Sequence, residues 1–140
     1  MRVMVIIKAN ADTEAGKMPS EGLLMAMYGY NEQLVNAGIM LDGAGITSSA
    51  QGKRVKFEGD KRIVRDGPFA ETKELVSGFW IWKVDSMDEA VEWVKKMPSL
   101  GGGEEVEIRR VSEAEDFGEA FTPELQEKER ALGERIQGQA

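Results

Sequence analysis

Apolar positions along the chain follow two periods, and the period changes mark its elements. Met1 to Ala9 is a β-branched run closed by the polar stretch Asn10 to Lys17, the pattern of a buried strand. Pro19-Ser20 then opens a helix to about Ala37. Its apolar stripe is read as Leu24, Met27, Tyr28, Leu34 and Val35, and Gly38 is the stop. Ile39 to Ile46 is a second strand, in which Gly43 and Gly45 signal a bulge or a close backbone approach. Val55, Phe57 and Ile63 alternate with charges around Glu58-Gly59-Asp60-Lys61, a two-stranded hairpin. After a loop from Asp66 to Ser77, Gly78 to Val84 reads as another strand.

Ser86 with Glu89 forms a capping box ahead of a second long helix, whose Met87, Ala90, Val91, Val94 and Met97 share a face and which Pro98 ends. Gly101-Gly102-Gly103 connects to a half-buried strand from Glu105 to Val111. The order is an α+β, ferredoxin-like βαββαβ arrangement with a β-hairpin inserted between its middle strands. Residues 1–111 are read as that domain and 112–140 as an acidic C-terminal tail with a helix from about 123, opened by Thr122-Pro123. Leu125, Leu132 and Ile136 dot the tail, with Phe117 and Phe121 ahead of them. They mark either a solvated helix or an arm that docks on a partner.

Both strand faces are apolar. Val3, Val5 and Ile7 oppose Met4 and Ile6, and Phe79 and Ile81 oppose Trp80, Trp82 and Val84. Two helices on one side cover only one face, and leaving two indoles in water would forgo about 1.5 to 3 kcal/mol each. The expectation is therefore a homodimer, sheet face to sheet face, with Trp80 and Trp82 at the contact. The tail folding back over that face is the alternative cover.

Composition narrows the chemistry. The 140 residues contain no Cys and no His, which excludes disulfides, Cys/His zinc sites, His-ligated haem and Ser-His-Asp triads. Proton transfer would fall to carboxylates, tyrosines or lysines. The net charge of -7 argues against nucleic acid. Most of it sits in the tail: residues 1–110 carry 15 basic and 17 acidic side chains, residues 111–140 carry 3 and 8. No run of about 18 apolar residues exists, so no membrane span is expected and the cytoplasm is the expected compartment. No cofactor and no metal site is expected, since no acidic loop has the density a Mg or Ca site needs.

The most distinctive segment is Arg65-Asp66-Gly67-Pro68-Phe69-Ala70-Glu71-Thr72-Lys73-Glu74, followed by Gly78-Phe79-Trp80. Asp before Gly-Pro is a turn by its chemistry. Together with Leu41 to Ile46 and Val106-Glu107-Ile108-Arg109, the segment resembles the signature of the DGPF-domain, or YCII-related, family. That resemblance implies a ferredoxin-like subunit of a dimeric α+β barrel, a superfamily that houses lyases, isomerases and monooxygenases. It also implies frequent association with alternative sigma factors. The His-Asp pair proposed for shorter relatives has no counterpart in a chain without histidine.

Candidate acid/base groups are Asp42, which burial would make a usable base and which is alternatively an outward-facing strand or bulge residue, and Asp66, alternatively a turn former. Arg65, Phe69, Glu71, Lys73 and Tyr28 are candidate ligand-binding residues. Two functions stay open: a cofactor-independent lyase or isomerase acting on a small molecule, and a non-catalytic binding or regulatory module.

Overall fold

The computed structural model describes residues 1–71 and 74–139. Residues Met1–Arg110 form one compact unit and Val111–Ala140 a second. In the first unit, strands β1 (Arg2–Lys8), β2 (Met40–Gly45), β5 (Val76–Lys83) and β6 (Val106–Arg110) form one antiparallel sheet in the order β2-β5-β1-β6. Strands β3 (Lys53–Glu58) and β4 (Lys61–Asp66) pair separately as the inserted hairpin, turning at Gly59 with φ +58°. With helices α2 (Glu21–Asn36) and α3 (Met87–Lys95), the order is the ferredoxin-like one expected from the pattern.

A short helix, α1 (Ala11–Glu14), stands within the polar stretch Asn10 to Lys17. Its capping box is reciprocal: the Thr13 N–H donates to Asn10 Oδ1 at 2.8 Å and the Asn10 N–H donates to Thr13 Oγ1 at 2.9 Å.

The core lies between the sheet and α2/α3, and the register fixes its composition. Val3 pairs with Trp82, Val5 with Trp80 and Ile7 with Gly78, so the indoles share the face of Val3, Val5 and Ile7. That face is the helix-covered one, where Trp80, Trp82, Tyr30, Leu34 and Ala90 are all buried. The expectation that Trp80 and Trp82 lie on the bare face is thereby corrected. The face opposite α2 and α3 carries Met4, Ile6, Phe79 and Ile81, which are half-buried. The alternation was real, but the parity was assigned to the wrong side.

The stripe on α2 is corrected as well. Leu23, Met27, Tyr30 and Leu34 face inward, whereas Leu24, Tyr28 and Val35 are exposed. Two polar ends are accommodated within the layer: the Tyr30 hydroxyl donates to the Trp93 carbonyl at 2.5 Å and Trp80 Nε1 donates to Asn31 Oδ1 at 2.9 Å. Burial pushes the Tyr30 phenol well above its ordinary range.

In the second unit, Phe117 and Phe121 meet edge to face at 5.4 Å. Helix α4 (Pro123–Gly138) follows, with Pro123 in its first turn and Thr122 Oγ1 accepting from the Leu125 N–H. Leu125, Leu132 and Ile136 are exposed along it. No helix among the described residues is long and apolar enough to cross a membrane.

Candidate functional site

A cleft of about 680 Å³ opens at the end of the sheet where β1 and β2 finish and β5 begins. Its cause is a row of missing side chains. Ile7 pairs with Gly78 and Gly78 with Gly45, so across three neighbouring strands two of the three helix-facing positions have no Cβ. The first turns of α2 pass above this row without filling it, and nothing lies within 4 Å of where a Gly45 Cβ would stand. Ile7, Leu23, Met27, Ile46 and Leu100 supply the apolar walls, while Asn10, Thr13, Ser20, Thr47, Ser48 and Gln51 supply polar ones. Asp12 and Lys17 also line it, with Nζ and Oδ2 3.8 Å apart and both side chains 71% exposed.

One wall is fastened by a carboxylate. Glu14, the last residue of α1, receives the Ser49 N–H at Oε1 (3.0 Å) and the Ser49 hydroxyl at Oε2 (2.5 Å). Its carbonyl accepts the Ser48 hydroxyl at 2.6 Å. The Ser49 hydroxyl in turn accepts the Phe69 N–H at 3.0 Å. A single serine thus joins α1, the turn after β2 and the loop after β4.

That loop contains the segment singled out in the sequence, and its structure explains the residue types. Gly67 donates its N–H to the Gly52 carbonyl at 3.0 Å, and a Cβ on it would lie 1.7 Å from the Ser49 carbonyl oxygen. The Gly67-Pro68 bond is cis. Phe69 is half-buried with the Arg54 guanidinium 3.9 Å from its ring centroid and that of Arg65 at 5.3 Å. Asp66 closes the hairpin through an exposed ion pair with Lys53 Nζ at 2.5 Å. The segment is a joint that docks the hairpin on the sheet's end.

The candidates from sequence therefore separate. Asp66, Arg65, Phe69 and Glu71 cluster at this joint, with Arg54 Nη1 3.9 Å from Glu71 Oε2, and none of them lines the cleft. Asp42 is exposed rather than buried. It sits beside a register shift between Met40 and Asp42, and its Oδ1 accepts the neighbouring Gly43 N–H at 2.8 Å. The bulge at Leu41 puts it opposite Ile81, on the sheet face away from the helices. Tyr28 is 66% exposed on the outer side of α2. Lys73 lies outside the described residues.

The cleft residues were missed because α1 was missed, although Asn10 followed by Thr13 was a readable capping signal. Among the described residues no three acidic side chains converge as metal ligands would.

The family model for the YCII-related domain matches residues 1–114. An uncharacterized protein of Rhizobium meliloti (strain 1021) is 29% identical over 92 residues, covering 63% of this chain and 74% of that protein. The structure of a 5-chloro-2-hydroxyhydroquinone dehydrochlorinase from Burkholderia phenoliruptrix, in complex with 2,5-dihydroxybenzoquinone, is similar at 17% identity. It has a TM-score of 0.47 and covers 83% of this chain and 98% of that one.

Proposed function

Because the chain belongs to the YCII-related domain family, we propose that it is a small-molecule-binding protein of the cytoplasm whose ligand occupies the cleft at the ends of β1 and β2. The observation that carries the reading is the row Ile7, Gly78, Gly45, which leaves a concave, mainly apolar space in a sheet otherwise covered by helices. The lyase or isomerase reading needs a carboxylate presented to that space. Asp12 is the one acid among the described lining residues, and it is open to water beside Lys17. An exposed, ion-paired carboxylate is a poor general base, so the geometry favours binding over turnover.

Replacing Gly45 with Leu tests the reading, since the added side chain meets open space in an extended strand. The expected outcome is an unchanged circular dichroism spectrum together with loss of ligand uptake, read by nuclear magnetic resonance shifts at Ile7, Thr13 and Ser77 against a fragment library. A wild-type protein in which no fragment moves those signals would overturn it.

The homodimer belongs to the same proposal, with revised residues. Met4, Ile6, Phe79 and Ile81 form the apolar centre of the sheet face opposite α2 and α3, and Arg2, Lys83 and Arg109 with Asp42 and Glu107 rim it. Lys8 Nζ stands 3.3 Å from Glu107 Oε1 and holds that carboxyl below the usual carboxylate range. A rim of both signs matches itself across a two-fold axis, which is what an isologous contact requires. Light scattering in dilute solution is expected to give twice the chain mass for the wild type and the single-chain mass for Phe79→Asp. A wild-type monomer removes the dimer from the proposal.

A further inference from the structure

We infer that the cleft takes a neutral, mainly apolar small molecule and discriminates against phosphorylated or otherwise anionic ones; this rests on the reading of the cleft as a ligand site. Many of its polar lining atoms are already committed to the chain itself. Asn10 Oδ1 accepts the Thr13 N–H, and Thr13 Oγ1 accepts the Asn10 N–H while donating to the Asn10 carbonyl at 3.0 Å. Ser20 Oγ accepts the Leu23 N–H at 3.1 Å. The Ser48 hydroxyl donates to the Glu14 carbonyl and accepts the Ala50 N–H at 3.2 Å. Ser77 Oγ faces the Ile7 and Lys8 carbonyls at 3.4 Å each.

Once these are subtracted, the lining side-chain groups still open to a ligand among the described residues, the Asp12 and Lys17 pair apart, are neutral ones. They are the Thr47 hydroxyl, the Gln51 carboxamide, the Asn10 amide N–H groups and the hydroxyl proton of Ser20. A phosphate needs several converging donors or a fixed cation to replace its hydration. The cation on hand, Lys17, already faces Asp12 and is largely in water, where its field is screened. Among the described residues no arginine lines the space, and Arg54 and Arg65 are engaged with Phe69 at the hairpin joint. What the lining offers is contact with Ile7, Leu23, Met27, Ile46 and Leu100 and a few neutral hydrogen bonds. A compact apolar body with a hydroxyl or carbonyl group fits that offer.

The test uses two probes with the same apolar body. N-phenyl-1-naphthylamine is neutral, and 8-anilinonaphthalene-1-sulfonate adds one fixed negative charge. On the intact chain the neutral dye is expected to bind with a saturable fluorescence rise at one site per chain, at least tenfold more tightly than the sulfonate, and millimolar inorganic phosphate should not displace it. Gly45→Leu should abolish that rise while leaving circular dichroism unchanged. Sulfonate binding as tight as the neutral dye's, and lost in Gly45→Leu, overturns the neutral-ligand inference and leaves the cleft reading standing. If dye fluorescence is indifferent to Gly45→Leu in a folded variant, the dyes sit on the exposed apolar faces and the cleft reading itself falls.

Discussion

Gly67→Ala should lower the stability of the chain by about 3 kcal/mol, or about 10 °C in melting temperature, although the side chain added is a single methyl group. The new Cβ would stand 1.7 Å from the Ser49 carbonyl oxygen and 2.7 Å from its carbon, and backbone cannot step aside as the end of a flexible side chain can. Relief requires the loop after β4 to lift. Lifting breaks the Gly67 N–H to Gly52 carbonyl bond and the Phe69 N–H to Ser49 hydroxyl bond together. Because Ser49 also holds Glu14, the wall of the cleft made by α1 should loosen in the same variant, and faster amide exchange at Glu14 to Lys17 would report it. Asp66→Asn, in the adjacent position, should cost under about 1 kcal/mol, since its ion pair with Lys53 lies in water. Urea unfolding of the two variants decides the matter. Equal effects would mean that the segment is held by its carboxylate rather than by the close approach of its glycine.

That contrast shows why the signature was legible as a marker and opaque as a device. Sequence alone leaves Asp66, the residue with a charge, open between an acid/base group and a turn former. The structure attaches the geometry to Gly67, whose lack of a side chain matters chiefly against Ser49, 18 positions earlier in the chain. The same limit governed the cleft. Gly45 could be read as a close approach or a bulge, but its effect depends on lying opposite Gly78 beside Ile7, and cross-strand register is not written in either strand by itself.

Element order, by contrast, was open to inspection, because each element carries its own period and punctuation. Ser20 and Ser86 cap where the sequence placed them, with Oγ accepting the Leu23 and Glu89 N–H groups, and the hairpin turns at Gly59. What failed was side assignment. Helix α2 has apolar residues at Leu23, Met27, Tyr30 and Leu34 and also at Leu24, Tyr28 and Val35, so two stripes compete and spacing cannot choose between them. Strand β5 poses the same problem with period two, and the charges that would mark an outward face appear only at Lys83.

The parity of β5 can be checked in solution through its indoles, and the largest loss in the core is expected at Trp82. Trp82→Ala should cost about 3–5 kcal/mol, since the side chain is 0% exposed and its removal leaves a cavity between the sheet and helices α2 and α3. The more discriminating variants are the phenylalanines. Trp82 Nε1 is buried and has no hydrogen-bond partner among the described residues, so Trp82→Phe deletes an unsatisfied donor and recovers part of the cavity cost. Trp80 Nε1 donates to Asn31 Oδ1 at 2.9 Å, so Trp80→Phe deletes a made bond and strands its acceptor on α2. The expected order in urea unfolding is that Trp80→Phe costs at least about 1 kcal/mol more than Trp82→Phe, while Trp82→Ala exceeds both. Were the indoles on the face opposite α2 and α3 instead, neither phenylalanine would disturb Asn31, and both losses would shrink once the chain was held as a monomer by Phe79→Asp. The helix-side placement requires them to persist in that background, because Val3, Val5, Tyr30 and Leu34 of the same chain supply the contacts that the ring loses.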